Sequence, residues 1–242
     1  MARHSEDPRV MDESVEDPKA GPVLWGIRAV LVAAGLGAWF WTQSRIGSRA
    51  YTGGIGDGVL DLLAPVHDYL MGHVGVRNAL LISSSLVIDV LGIFLLASSI
   101  VGRTMRPFVG LLMLFALRQV CQVVCVLPAP PEMIWPKEGP GFPSLLVTYG
   151  VGNDLFFSGH TAMAVYGALE LARARRWLIP VGVLIVIFEA TTVLALRAHW
   201  TMDVYAGAVT AVLVGILAGW VGPWVDRGLG RVTGLRNVRN DE

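Results

Sequence analysis

The sequence predicts an all-α, polytopic membrane protein: a bundle of six transmembrane helices with both termini on the inner side. Three observations carry this. Of 242 residues, 54% are hydrophobic and only 16% charged, with mean hydropathy +0.58, whereas a soluble domain keeps enough charge to cover its surface. The apolar residues gather in long runs, and several approach the roughly 20 residues that a helix needs to cross a hydrocarbon core of about 30 Å. Lys and Arg, although balanced to a formal net charge of zero, are unevenly shared between alternate connections.

In order along the chain, residues 1–22 are polar, acid-rich and broken by Pro8, Pro18 and Pro22, which predicts a disordered tail. The tail lacks the basic stretch running straight into a short apolar core that marks a cleaved signal peptide. The first apolar run is therefore expected to stay as an anchor. One membrane domain is expected over 23–225, with spans Val23–Trp41, Asn78–Val101, Pro107–Leu127, Leu155–Ala172, Trp177–Leu196 and His199–Trp224, followed by a basic tail over 226–242. The fourth span is short and opens on Ser158-Gly159-His160, so its start should be shielded by protein or open to water. Between the first two spans, a weaker amphipathic piece around Val59–Leu63 and Tyr69–Met71 reads as an interfacial helix. The connection Pro128–Asp154 carries Pro128, Pro130, Pro131, Pro136, Pro140 and Pro143 and reads as an irregular loop. Cys121 and Cys125, four apart in one run, read as packing residues on a shared helix face.

Charge bias sets the orientation. With the N-terminus inside, the inner segments hold Arg3, Arg9, Lys19, Arg103, Arg106, Arg173, Arg175, Arg176, Arg227, Arg231, Arg236 and Arg239, against Arg45, Arg49, Arg77 and Lys137 outside. The Pro-rich loop and the starts of spans four and six then fall on the outer face. No basic patch interleaved with aromatics suggests a nucleic-acid partner.

Ionisable groups at membrane depth are costly and tend to be paired or functional. Two strings concentrate them: Asn153-Asp154-Leu155-Phe156-Phe157-Ser158-Gly159-His160 and Arg197-Ala198-His199-Trp200-Thr201-Met202-Asp203. His199 and Asp203 are four apart and so share a helix face. A carboxylate that accepts a proton from one ring nitrogen leaves the other free to attack an electrophile. His160, in the first turn of span four after Ser158 and Gly159, lies where backbone N–H groups and the helix dipole hold an anion. There it could protonate a departing alkoxide. Arg118 and Arg197, from other spans, suit the clamping of phosphate oxygens. Two His and an Asp could also ligate zinc, but arginines beside them fit an anion better, so no metal is expected. Asp89 and Glu189 read as buried interhelical contacts and Glu170 as a partner for Arg173. His67 and His73 read as interfacial, and His4 lies in the tail.

At these residues the chain resembles the lipid phosphatase/phosphotransferase superfamily. Within it, the chain is most similar to the sphingomyelin synthase branch, especially the phosphatidylcholine:diacylglycerol cholinephosphotransferases. The likeness is carried by Arg106, Arg118, Leu127-Pro128-Ala129-Pro130, Phe156-Phe157-Ser158-Gly159-His160-Thr161 and Arg197 through Asp203. It implies a two-step transfer without metal or soluble cofactor. His199, oriented by Asp203, attacks the phosphorus of a phospholipid donor, His160 protonates the leaving diacylglycerol, and a diacylglycerol or ceramide-type alcohol then takes the headgroup. The phosphatase branch has Pro where this chain has Phe157 and Arg where it has Val193, which favours a transferase. Asp154, six before His160, resembles the sphingomyelin synthase pattern and is an accessory candidate, and Trp200 replaces the usual Tyr. Trp135 and Tyr149 are candidate cation–π contacts.

Three functions stay open on the sequence: a phospholipid headgroup transferase, a lipid phosphate phosphatase, and a non-enzymatic membrane protein that binds an anion or lipid.

Overall fold

A computed structural model of the chain describes residues 30, 34, 36–38, 40, 41, 44, 54–125, 127–134, 144 and 156–232. Every regular element among them is a helix. The described residues from 30 to 44 are helical. Otherwise the expected span Val23–Trp41 lies outside the described residues, as do the tail 1–22, Trp135, Tyr149, Asp154 and residues 233–242.

From Asp57 onward the chain forms one compact unit. Its helices are α1 (Gly58–Leu62), α2 (Ala64–Gly72), α3 (Val74–Val101), α4 (Arg106–Val124), α5 (Gly159–Ala174), a 3-10 turn (Arg176–Leu178), α6 (Ile179–Ala195) and α7 (Thr201–Val232). Among the described residues, four stretches are long and apolar enough to cross a membrane: Val74–Val101, Arg106–Val124, Arg176–Ala195 and Thr201–Leu229. They correspond to the expected second, third, fifth and sixth spans. The expected fourth span is α5, which has only 16 residues, about 24 Å of helix. The last helix runs beyond the expected Trp224, through Pro223, to Val232.

Short links at one end of the bundle, residues 102–105 and 175–178, turn α3 back into α4 and α5 back into α6. That end is tied by charge. The Glu170 carboxylate, 3% exposed, accepts from Arg173 Nη1 at 2.7 Å, as the sequence suggested, and also from Arg106 Nη2 at 2.6 Å. Asp226 of α7 accepts from Thr104 Oγ1 at 2.6 Å and from the Met105 N–H at 2.8 Å, which satisfies donors at the start of α4. Pro107 in the first turn of α4 brings a preset φ, and the Tyr166 hydroxyl donates to the carbonyls of Arg106 and Pro107.

The opposite end gathers the starts of α3, α5 and α7 and the ends of α4 and α6. Two apolar clusters support it. One joins Ile88, Leu95, Leu114, Phe157, Met163, Tyr166 and Val214 between α3, α4, α5 and α7. The other packs Leu60 and Leu70 of α1 and α2 against Val193–Leu196, Ala198 and Trp200. Around the bundle Val90, Val123, Ile187, Leu213 and Trp220 are exposed, as lipid-facing positions would be. Glu189 is buried and accepts from Ser84 Oγ at 2.6 Å, while Asp89 accepts from Ser144 at 3.4 Å.

His67 departs from expectation. Rather than facing an interface, it is fully buried and its Nδ1 donates to the Ala195 carbonyl at 3.0 Å. The last carbonyls of α6 lack partners within their own helix, and one of them takes its donor from α2. His73, by contrast, is exposed and stacks on Tyr69 with ring centroids 3.9 Å apart.

Candidate active site

The first part of the site is the start of α5. Ser158 is its N-cap, and the Ser158 Oγ accepts from the Thr161 N–H at 3.3 Å and from the Thr161 hydroxyl at 3.1 Å. A capped start orders the first turn and points the N–H groups and the positive end of the dipole outward from the helix. Arg118 of α4 lies against this turn. Its Nε donates to the Phe157 carbonyl at 3.3 Å. A side chain on Gly159 would stand only 3.2 Å from that Nε, so glycine is what lets the guanidinium approach the backbone.

The second part is the turn from α6 to α7. Arg197 sits in the left-handed region at φ 51°. Around it the Ala198 N–H bonds the Val193 carbonyl at 2.8 Å and the Arg197 N–H bonds the Leu194 carbonyl at 3.0 Å. This is the Schellman pattern of a helix C-terminus, with arginine in the position that glycine usually takes. The chain thus reverses within Leu196–Trp200 and re-enters a helix at Thr201. His199 lies in this turn, not on the helix, as its spacing from Asp203 alone had implied. Asp203 stands in the first turn of α7. Its Oδ2 accepts from the Trp200 N–H at 3.0 Å, the backward reach of a capping box. The same oxygen lies 3.8 Å from His199 Nδ1, beyond hydrogen-bond length. Asp203 is fully buried, and its Oδ1 has no partner among the described residues.

The two parts meet directly. The Ser158 N–H donates to the Asp203 carbonyl at 3.1 Å. Gly207, one turn further along α7, makes this closeness sterically possible: a Cβ there would fall 2.6 Å from the Ser158 carbonyl oxygen. His160 and His199 are 9% and 7% exposed, and His160 lies within electrostatic range of both His199 and Arg118. One capped helix start, one guanidinium, two imidazoles and a buried carboxylate therefore converge at one end of the bundle.

Arg197 is placed elsewhere. Its Nη1 bonds Glu132 Oε2 at 2.9 Å and the Pro131 carbonyl at 3.3 Å, so it faces the Pro-rich loop. Trp200 does the same, donating from Nε1 to the Pro128 carbonyl at 2.8 Å, and the Ile134 N–H bonds the Leu196 carbonyl at 2.9 Å. Sequence reading missed Glu132, because nothing local links it to a residue 65 positions away. It also missed Asp57, which bonds Thr201 at the start of α7. The Asp57-Gly58 pair ahead of an apolar run was an available helix-start signal. Asp154 lies outside the described residues. Among the described residues no three His, Cys, Asp or Glu side chains gather as a metal-ligand set.

A family model described as AtPDCT1/2 matches residues 58–220, a stretch that holds every described element from α1 into α7 and both parts of the site. A relative from Arabidopsis thaliana, phosphatidylcholine:diacylglycerol cholinephosphotransferase 2, is 30% identical over 118 residues, which cover 47% of this chain and 37% of that protein. No solved structure matches the chain.

Proposed function

We propose, since the chain belongs to the AtPDCT1/2 family, that it is a phospholipid headgroup transferase. It moves phosphocholine or a similar phospho-headgroup from a phospholipid to a diacylglycerol or ceramide-type alcohol. The observation that carries this reading is the bond between the Ser158 N–H and the Asp203 carbonyl, which joins the anion-binding helix start to the turn that bears His199.

In the first half-reaction the donor phosphodiester lies over the start of α5, its non-bridging oxygens facing the Arg118 guanidinium and the first-turn N–H groups. His199 presents Nδ1 towards Asp203, which leaves Nε2 as the nucleophile. The Nε2 lone pair forms the P–N bond as the P–O bond to diacylglycerol breaks, and His160 gives its proton to the departing oxygen. Asp203 stabilises the positive charge that develops on the imidazole, as the third group of a nucleophile–base–orienter set does. In the second half-reaction the acceptor hydroxyl passes its proton to His160, its oxygen attacks phosphorus, and the P–N bond breaks. The chemistry runs through a phosphohistidine and asks for no metal. Because Arg197 is engaged by Glu132, phosphate contact is assigned to Arg118, and Arg197 shapes the turn. The charge bias supports a site at the outer leaflet of a six-span bundle with both termini inside.

The test is to incubate purified protein with phosphatidylcholine labelled in its headgroup, quench, and map the label. It should sit on His199. Labelled diacylglycerol should become labelled phosphatidylcholine, and His199→Ala should lower turnover by several orders of magnitude in folded protein. Normal turnover in that variant would refute the assignment. Release of inorganic phosphate from phosphatidic acid, without transfer, would mark a phosphatase instead.

A further inference from the structure

The segment before the first long helix holds both ends of the turn that carries His199. Asp57, just ahead of α1, accepts from the Val59 and Leu60 N–H groups at 3.1 and 3.3 Å through Oδ1, the arrangement of a helix N-cap. The same carboxylate reaches across 144 positions to α7. Its Oδ2 accepts from the Thr201 N–H and its Oδ1 from the Thr201 hydroxyl, both at 2.7 Å. Ten residues after Asp57, the buried His67 donates to the carbonyl of Ala195, the last residue of α6. Between Ala195 and Thr201 lie only Leu196, Arg197, Ala198, His199 and Trp200.

An orphan carbonyl at a helix end and an orphan N–H at a helix start each need a partner when buried. Water would satisfy either at an open surface. Here both partners come from one short segment, α1 with α2, which spans the gap between the two helix ends. Its own inner face, Leu60 and Leu70, packs in the same apolar cluster as Leu196, Ala198 and Trp200. The Pro-rich loop grips the turn as well, through Pro128, Glu132 and Ile134. Neither the Asp57 nor the His67 contact is made to His199 itself, so their effect on chemistry passes through the backbone of the turn.

We propose that Asp57 and His67 are positioning residues for His199: together they fix the two ends of the turn so that the imidazole stands at a set distance from Asp203 and from the start of α5. The inference rests on His199 being the nucleophile. Outer partners of metal ligands typically matter by about 10- to 100-fold, displacement of a reacting atom by about 1 Å costs up to about 100-fold, and an effect of the same order is expected for residues that hold a nucleophile.

The experiment uses full-length protein in mixed micelles of phosphatidylcholine and labelled diacylglycerol. The variants are Asp57→Ala, Asp57→Asn, His67→Leu and His67→Asn, with His199→Ala alongside. For folded protein, Asp57→Ala and His67→Leu should each lower kcat about 10- to 100-fold and leave KM for the donor near wild type. The yield of trapped headgroup on His199 should fall in parallel. His67→Asn puts an amide N–H near the place of Nδ1 and should recover much of the loss. Asp57→Asn keeps one acceptor oxygen and should fall between Asp57→Ala and wild type. If removing the α1 cap prevents folding in Asp57→Ala, the His67 pair decides. Wild-type kcat in folded His67→Leu, or equal loss in His67→Leu and His67→Asn, overturns the inference. Activity in His199→Ala would instead remove the reading on which the inference rests.

Discussion

Gly207→Ala is the sharpest probe of the junction between the two halves of the site. The added methyl would lie 2.6 Å from the Ser158 carbonyl oxygen, and it would also touch Phe157 Cδ2 at 3.4 Å and the Ala162 nitrogen at 3.5 Å. Ordinary contact begins near 3.4 Å, so the start of α5 and the first turns of α7 must separate by about 0.8 Å, the scale at which misplacement of reacting groups becomes costly. The obstructing atom is backbone, and no side-chain rotation relieves it. The same movement lengthens the Ser158–Asp203 bond, now 3.1 Å. Overpacking of this kind costs about 1–3 kcal/mol of stability, and a shift approaching 1 Å between His160 and His199 lowers turnover by about 100-fold. The assay is headgroup transfer per folded molecule at saturating donor, read beside the thermal midpoint. Wild-type turnover with an unchanged midpoint would mean that α7 and the Ser158 turn are not held as close as the structure has them, and the shared site would lose its geometric basis.

Further outcomes follow from other contacts. Trp200→Phe keeps an aromatic ring but removes the bond to the Pro128 carbonyl and empties part of the buried indole volume, and should cost more than about 1 kcal/mol in thermal or denaturant unfolding; no measurable loss would show that the Pro-rich loop is not fixed there. Glu170→Gln leaves Arg106 and Arg173 without their shared carboxylate and should destabilise by about 3 kcal/mol. Because Glu170 lies at the far end of the bundle, kcat of the folded fraction should stay near wild type, and a selective loss of kcat would contradict that separation. For Asp57, burial alone would raise the carboxyl pKa, but the bonds from Thr201, Leu60 and Val59 outweigh it and hold the carboxyl below its ordinary range. A depressed folded-state pKa gives stability that is present above the ordinary value and lost as pH falls through the lowered one. The thermal midpoints of wild type and Asp57→Asn should therefore differ at neutral pH and converge in acid; a gap that persists below the carboxylate range would refute this.

Much of the fold was legible because a bilayer imposes a coarse and strict rule on sequence. Expected spans Asn78–Val101, Pro107–Leu127, Trp177–Leu196 and His199–Trp224 fall on helices whose ends differ by at most four residues, except that the last helix runs eight residues further, to Val232. The differences have local causes. The last helix passes Pro223 and continues to Asp226, which caps the start of α4, and a window of apolar residues cannot register a tertiary cap. The helix start at Ser158-Gly159-His160 was readable because a start is marked by adjacent residues, whereas Ser158 acting as its cap emerged only from the structure. Glu170 with Arg173, three apart on one helix, was readable for the same reason. The partners of Arg197 and His67, Glu132 and the Ala195 carbonyl, were not legible because they are set by how the loop and α2 fold back onto the α6–α7 turn. Residue type alone made Arg197 look like a phosphate clamp and His67 look interfacial. Their actual places follow from orphan donors and acceptors at helix ends, which become visible only once the ends are in space.

The shortness of α5 bears on which acceptor the proposed site would use. Its 16 residues span about 24 Å against a hydrocarbon core of about 30 Å. Its far end is tied to the start of α4 by Glu170 and by the Tyr166 hydroxyl, so α5 cannot slide towards the opposite surface. Arg118 gives a second measure: it stands six residues before the end of α4 at Val124, about 9 Å of helix. The start of α5 therefore lies below the end of α4 and level with the first turn of α7, to which the Ser158–Asp203 bond ties it, with His160 and His199 nearly closed to solvent. A phosphodiester reaches that depth when its own acyl chains remain in the bilayer, and the hydroxyl of a second lipid arrives from the same side. Water would be scarce there, which would protect the proposed phosphohistidine from hydrolysis. A site built for phosphatase action has the opposite need. On this argument transfer should exceed hydrolysis whenever a lipid alcohol is present, and swapping diacylglycerol for a short, water-soluble alcohol should slow the second half-reaction while leaving formation of the intermediate untouched.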